Sequence, residues 1–343
     1  MKAESDKLSV KANSIIMDNS EIDISVIVVC YNQAGTIART LDSILEQTEA
    51  GKIEIIVNDD HSTDRTGEII LDYQARYPKI ISCFIQPKNL GVQGNYFHAL
   101  RRCKGKYIAD CAGDDWWCDP LKLSKEKKIL DQNPNVTLVH TSWNYAYPDG
   151  TFSEFCRIEN NNEGIYSGKA ILESILCGKN NPEIHLCTAL YRKDYAIQAL
   201  NSDLDIFLNP EYKCEDLQIE AAMAAAGDIS YIPDITLNYS VGRKSISSAE
   251  TFTKAFDFYF HATILIMSLL KKYNISKDLS NKAIATRINY LAAQAFYSGS
   301  KSRITKLEQL IIENKLPRPL KSRLYLCLYH SPLRGLVKTI RKK

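Results

Sequence analysis

The ten cysteines of this sequence include no C-x-x-C pair. That absence removes redox dithiols and zinc ribbons, and no other zinc spacing repeats. Several cysteines lie inside apolar runs, such as Cys30 in SVIVVCY and Cys187 in HLCTALY. Buried free thiols in a reducing cytoplasm are the expectation. No uncharged apolar run reaches membrane-spanning length, since HATILIMSLL at residues 261–270 falls well short of the ~20 residues a bilayer needs. The first 23 residues hold no apolar core long enough for a signal peptide. A cytoplasmic protein, soluble or peripheral on a membrane, is expected, with no nucleic-acid partner. G-x-x-x-x-G-K-[ST] and G-x-G-x-x-G are both missing, which excludes a Walker-type NTPase and a dinucleotide fingerprint. No internal repeat or low-complexity stretch occurs. Acidic residues are also missing after Glu313, although nine Lys/Arg fall between Lys315 and Lys343.

What is present suits a globular enzyme. The 343 residues are 45% hydrophobic and 24% charged, enough to bury a large core plus an appendage. The net charge of +3 divides unevenly, because the chain before the basic tail is mildly acidic. ISVIVVC (24–30) and IEIIV (53–57) are β-branched runs and read as buried strands. IISCFI (80–85) and the stretch Lys106–Cys111 read as two more, with helices at Ala34–Leu45, Thr66–Tyr77 and Gly94–Cys103 between the four. This alternation predicts an α/β fold around a mostly parallel sheet. A helix at Leu121–Gln132, a strand at 136–143 and a hairpin turn at Asp149-Gly150 follow. Residues 186–192 read as a strand, Asp216–Ala226 as a helix closed by Gly227, and 229–232 as a strand ending at Pro233. Beyond about 251 only helices are expected, at 252–272, 281–297 and 303–314. The division expected is an extension at 1–23, an α/β domain at 24–247 and a helical region with the basic tail at 248–343.

In an open parallel sheet, ligands bind outside the carboxyl ends of the strands. Three such ends are polar here: Tyr31-Asn32, Asn58-Asp59-Asp60-His61-Ser62, and Ala112-Gly113-Asp114-Asp115. Asp59, Asp60 and Asp64 also suit turns and N-caps, and Asp119 suits the cap of the helix after Pro120. Trp116 and Trp117 suit a core as readily as a sugar platform. The pair Asp114-Asp115 is harder to assign to capping, which needs one carboxylate rather than two. Adjacent carboxylates on a loop suit a hard cation, Mg²⁺ or Mn²⁺, whose shell a diphosphate and water complete. DDWWCD superficially resembles the aspartate-rich motif of terpenoid synthases, but those are all-helical and this motif follows a strand.

These segments together resemble the family 2 glycosyltransferases. SVIVVCYNQAGTIARTLDSILEQ, IEIIVNDDHSTDRT, KNLGVQGNYFHAL and GKYIADCAGDDWWCDPLKL stand in that family's order and spacing. YKCEDLQIEAAMAAAGDISYIPDITLNYSVGRKSIS resembles its acceptor side, so the likeness spans roughly residues 24–247. It implies a GT-A fold, a C-terminal helical appendage and an inverting reaction. The nucleotide diphosphate donor would be a UDP-sugar, and the acceptor a glycan or a lipid-linked saccharide. It places Asp60 on the uracil, Val29 and Tyr31 in the loop lining that base, and Asp114-Asp115 on the DxD-type site. Asp115 would bind the metal, Mn²⁺ or Mg²⁺, and Asp114 the ribose or the metal. Asp216 falls on the catalytic base.

Two departures stand out. Ala112 occupies a position where many members carry an acid, so the metal site is leaner. The segment Tyr239-Ser240-Val241-Gly242-Arg243 holds no histidine where many members have one, and Arg243 or Lys244 would have to neutralise diphosphate instead. His140 and His185 read as core or surface histidines. Asp216 and Glu215 open a helix, where acids complement the dipole, and a low pKa is expected for Asp216. Two other functions fit parts of the pattern. A sugar-phosphate nucleotidyltransferase needs a glycine-rich, arginine-containing loop after the first strand, where this chain has YNQAGTIART. A non-catalytic nucleotide-sugar module would lack the base, yet Asp216 is present. In the tail, Ser331 and Pro332 suit a helix start, and Leu333, Leu336, Val337 and Ile340 form an apolar stripe among basic residues. Residues 331–343 therefore suit either an anionic membrane surface or a helix packed on the body.

Overall fold

The computed structural model describes residues 21–154, 162–178, 183–241 and 251–332. The chain falls into two compact units: Met1–Leu172 with Asn180–Pro210 and Cys214–Arg243, and Glu173–Lys179 with Glu211–Lys213 and Lys244–Lys343.

The first unit is built on one mixed sheet. Strand β1 (Ile24–Cys30) is followed by helix α1 (Ile37–Leu45), β2 (Ile53–Asp59), α2 (Thr66–Arg76), β3 (Ile81–Ile85), α3 (Gly91–Leu100) and β4 (Tyr107–Asp110). Every residue of β2 is buried, as expected for a strand covered on both faces. Helix α1 turns Ile37, Leu41, Ile44 and Leu45 into the core, each contributing about 1.5–3 kcal/mol of burial. Strands β1, β2 and β3 pair in parallel, and β4 pairs in parallel with the opposite edge of β1. The order β3-β2-β1-β4 therefore reverses at β1. In a doubly wound sheet the crevice opens at that switch point, beyond the strands' carboxyl ends.

The sheet then continues through later strands. They are β5 (Trp116–Trp117), β6 (Val136–Ala146), β7 (Phe152–Glu154), β8 (Gly164–Tyr166), β9 (Ala189–Arg192) and β10 (Asp228–Ser240). Strand β9 is antiparallel to both β4 and β6, while β10 runs parallel to β6. The Asp149-Gly150 turn joins β6 to β7 as an antiparallel pair. Between these strands lie α4 (Lys122–Gln132), α5 (Gly168–Cys177), α6 (Lys193–Ser202), the single turn α7 (Leu204–Phe207) and α8 (Asp216–Ala226).

Three sequence expectations need correction here. Residues 186–188 form a 3₁₀ turn, so the strand begins only at Ala189. Strand β10 does not end at Pro233 but runs on to Ser240, with register shifts on either side of Ile235. A proline without an N–H is accommodated where the ladder is already irregular. Gly227 closes α8 with φ −179°, which is extended rather than left-handed backbone. It is required for space, because a Cβ there would stand 2.4 Å from the Asn135 carbonyl oxygen.

The second unit contains α9 (Phe252–Lys272), α10 (Lys277–Ser298), α11 (Lys301–Glu313) and α12 (Leu320–Tyr329), the last unforeseen in the sequence. Thr251, Ser276 and Ser300 each cap one of the first three with a side-chain oxygen. Among the described residues, no helix is long and apolar enough to cross a membrane. Arg243, Lys244 and the tail residues 333–343 lie outside the described residues.

Candidate functional site

The carboxyl ends of β1, β2 and β4 converge. Val29 is half-buried at the end of β1, and Tyr31 just beyond it is 47% exposed. The Val29 carbonyl accepts from Gly113 N–H at 3.0 Å, binding the loop after β4 to β1. Asn32 adopts φ +53°, a left-handed conformation that asparagine tolerates well. Its side chain accepts from Thr63 N–H at 2.8 Å, and its own N–H donates to Ser62 Oγ at 2.8 Å. The β1 and β2 loops are thus cross-linked.

The three early aspartates divide into different tasks. Asp59 accepts from Ser62 through both its N–H and its hydroxyl. Asp64 accepts from Thr66 N–H at 2.9 Å and from Ala34 N–H at 3.1 Å. Both are turn residues in this fold. Asp60 is 4% exposed, and its two oxygens accept from Leu90 N–H at 2.6 Å and Gly91 N–H at 3.0 Å. It therefore caps α3 from a distance, while burial raises its pKa above the usual carboxylate range.

The acidic loop after β4 is tightly built. Gly113 is required there, since a Cβ would come within 2.4 Å of Gln33 Oε1 and 2.9 Å of Cys30 Cβ. Its carbonyl accepts from Thr36 Oγ1 at 2.9 Å. The Asp114 carbonyl accepts from Arg39 Nη2 at 3.1 Å and Ser240 Oγ at 2.5 Å. Asp115 is 1% exposed. Its Oδ1 accepts from Ser240 N–H at 2.8 Å and its carbonyl from Thr40 Oγ1 at 2.6 Å. Burial, and then the Asp114 charge, push the Asp115 carboxyl well up. A buried carboxylate whose ionised form the Asp114 charge disfavours makes a fitting seat for a hard cation. Among the described residues, no group of three or more His, Cys, Asp or Glu could hold a metal by itself. Substrate oxygens and water would have to complete the shell.

The tryptophans divide as well. Trp117 is buried in the core, with its Nε1–H donating to the Cys187 carbonyl at 3.0 Å. Trp116 is half-buried, and the Arg39 guanidinium stacks 3.4 Å from its ring centroid. Arg39 is a component of the site that the sequence reading missed. Only its position two turns before Glu46 on an apolar-striped helix was visible, and nothing there marks a loop 75 residues away.

Asp216 is the first residue of α8, with Glu215 at the N-cap. The helix position predicted a low pKa. The structure overturns that, because burial pushes the Asp216 carboxyl up to about 6. Desolvation also raises Glu215 well above its usual value, reinforced by the Asp216 charge. The field of Asp216 reaches Cys187 and Tyr239, as do those of Asp115 and, at Tyr239, Asp114. The base candidate and the acidic loop thus bear on the same side chains. Asp119, expected as a cap, accepts from Leu121 N–H at 2.8 Å and pairs with Lys125 at 2.7 Å. His140 is buried in the core beside Tyr231. His185 is held neutral, its pKa lowered by burial to about 4, with its ring 4.6 Å from that of Tyr239.

A family model described as Glycosyl transferase family 2 matches residues 25–199, just over half of the chain. The chain belongs to glycosyl transferase family 2. The match spans the switch-point strands and the acidic loop, and stops before α8. An uncharacterized Mycobacterium tuberculosis protein is 40% identical over 127 residues, 37% of each chain. An Escherichia coli protein, UDP-Glc:alpha-D-GlcNAc-diphosphoundecaprenol beta-1,3-glucosyltransferase WfaP, is 40% identical over 108 residues, 32% of this chain and 41% of that one. The chain therefore spans about two fifths of the length of these relatives. Among solved structures, S. aureus TarS 1–349 in complex with UDP-GlcNAc superposes with TM-score 0.62 at 18% identity, covering 94% of this chain and 92% of the other. The expected fold, a mostly parallel sheet flanked by helices with C-terminal helices added, is the one observed.

Proposed function

We propose that this chain transfers a sugar from a nucleotide diphosphate donor, a UDP-sugar, to a hydroxyl of a glycan or a lipid-linked saccharide, inverting the anomeric centre. The observation that carries this reading is the acidic pair Asp114-Asp115 on the loop after β4, tied to β1 through Gly113 and to β10 through Ser240, beyond the switch point of a family 2 sheet. The WfaP name and the TarS complex support a UDP-linked donor.

In this reading Asp60 faces the base, in a loop lined by Val29 and Tyr31. Asp114 meets the ribose or shares a divalent cation, Mn²⁺ or Mg²⁺, with Asp115. That ion, when bound, stabilises the negative charge that develops on the departing diphosphate. Asp216 accepts the proton of the acceptor hydroxyl. The oxygen bonds to the anomeric carbon from the face opposite the diphosphate, and the carbon–phosphate-oxygen bond breaks with its electron pair leaving on UDP. A carboxyl that titrates near 6 is ionised at neutral pH and still basic enough to take that proton late in the reaction. The nucleotidyltransferase reading finds no glycine-rich, arginine-containing loop after β1.

A thermal-shift screen of nucleotide sugars, with and without Mn²⁺, tests the donor. Ligand at about 100 times its dissociation constant adds ~2.7 kcal/mol of stability, and a screen in which no uridine nucleotide stabilises the protein would exclude the reading. The cytoplasmic site and the membrane contact of residues 331–343 belong to the same proposal. Co-sedimentation with anionic vesicles, comparing the full chain with residues 1–330, decides the second point, and equal binding ends it.

A further inference from the structure

Strand β5 pairs antiparallel with β10, Trp117 opposite Leu237 and Trp116 opposite Asn238. The Cys118 N–H donating to the Thr236 carbonyl at 2.8 Å keeps the same register on one side. On the other side, Ser240 N–H and Oγ reach the Asp115 carboxylate and the Asp114 carbonyl. Carried one residue beyond Asn238, this register sets Tyr239 directly opposite Asp115. Side chains opposite each other in an antiparallel pair share a face, with Cβ atoms ~4.5–5.5 Å apart. That face is the one on which Trp117 and Leu237 are buried.

The Tyr239 ring has two aromatic neighbours. It packs edge-on to His185 at 4.6 Å and to Tyr145 at 6.1 Å between centroids. Among the described residues its hydroxyl makes no hydrogen bond. Burial first, and then the charges of Asp115, Asp114 and Asp216 among others, raise its pKa to about 12, so the group stays a neutral O–H. In a transfer reaction, the atoms between the donor's metal-binding carboxylates and the base are the terminal phosphate and the sugar carbon it releases. A neutral O–H can donate to a charged oxygen there, and such bonds are about twice as strong as neutral ones.

We propose that Tyr239 is a substrate-contacting residue whose hydroxyl donates a hydrogen bond to the donor's β-phosphate, the group that leaves. This rests on the donor assignment made above. The nucleobase is excluded as its target, because Asp60 lies at the end of β2, on the far side of β1 from the acidic loop. The residue opens the segment Tyr239-Ser240-Val241-Gly242-Arg243, which holds no histidine.

Tyr239→Phe keeps the ring packing and removes only the oxygen. Calorimetry in Mn²⁺ with UDP and UMP, on wild type and variant, is the test. UDP affinity should fall about ten- to a hundred-fold, the usual range for a bond to a charged group. UMP affinity and the melting temperature should not change. Unchanged UDP affinity overturns the proposal, including the case where transfer alone is slower, since that places the hydroxyl on the acceptor. Equal weakening of UMP also overturns it, because the effect is then not at the β-phosphate. Wild-type protein that binds no UDP refutes the donor reading itself, and the proposal with it.

Discussion

Ser240 donates its backbone N–H to Asp115 Oδ1 at 2.8 Å, joining the last strand of the sheet to an acidic loop 125 positions earlier. One carboxylate oxygen is thereby fixed in direction, beside Asp114. Asp115→Asn still offers an oxygen to Ser240 but removes the charge. UDP binding in Mn²⁺ should weaken severely, while binding in EDTA should change little. Calorimetry under both conditions checks this, and a variant that binds UDP with Mn²⁺ like wild type removes Asp115 from the metal site.

Asp60 has one task in the fold and a second proposed for it, and one substitution separates them. Asp60→Ala takes away the acceptors for Leu90 and Gly91 N–H, which should cost about 1 kcal/mol, as for a lost helix cap. If the carboxylate also meets the nucleobase, UDP affinity should fall even in EDTA. Urea unfolding measures the first effect and metal-free calorimetry the second. A destabilised variant with unchanged UDP affinity leaves Asp60 as a cap alone.

Asp216→Asn should reduce sugar transfer by about 10²–10⁴, the usual cost of losing a general base, with UDP affinity within a few-fold of wild type. In the wild-type protein the rate should fall as pH drops through about 6, where the carboxyl takes up its proton. The same group should oppose stability. Its folded pKa lies above the unfolded value, so the folded state holds the extra proton and stability declines as pH rises from about 4 to about 6. The asparagine variant should thus be more stable than wild type at pH 8, by roughly 1 kcal/mol after allowance for partial exposure. The advantage should vanish below pH ~4. Near-normal transfer would move attention to Glu215.

Lys122 and Glu126 form an ion pair at 2.7 Å with both side chains 0% exposed. The Lys122 ammonium also lies 4.7 Å from the Trp117 ring centroid. Burial raises Glu126 from 4.5 to about 7, against the pull of Lys122. Lys122→Met would strand a buried carboxylate at pH 8, at a cost of about 3–5 kcal/mol. At pH 5 the carboxyl is protonated and the loss should be smaller. Urea unfolding at both values tests this, and an equal loss at pH 5 and pH 8 contradicts it.

Much of the fold was legible because local patterns carried it. Buried parallel strands such as ISVIVVC and IEIIV are recognisable by unbroken β-branched runs. Elements without such a pattern were not. Trp116–Trp117 is a strand only because β10 lies beside it, and β10 crosses Pro233 only because a bulge absorbs the missing N–H. Helix α12 has one buried residue, Ser322, so its sequence shows no clear apolar stripe.

The site divides in the same way. The sequence by itself determined the residue types and their order, with acids after the strands that a parallel sheet gathers at one edge. It therefore determined the family, because spacing along the chain is what a family pattern records. Only the tertiary structure decided which of those acids are taken up by turns and caps. Asp59 and Asp64 were absorbed into turns by neighbouring N–H groups, and Asp60 was set against the start of α3. Asp216 was given a pKa near 6 because desolvation outweighs the helix dipole there. Arg39 and Ser240 came to the acidic loop from positions 75 to 126 residues away. Contacts of that range depend on sheet order and register, which no stretch of adjacent residues encodes.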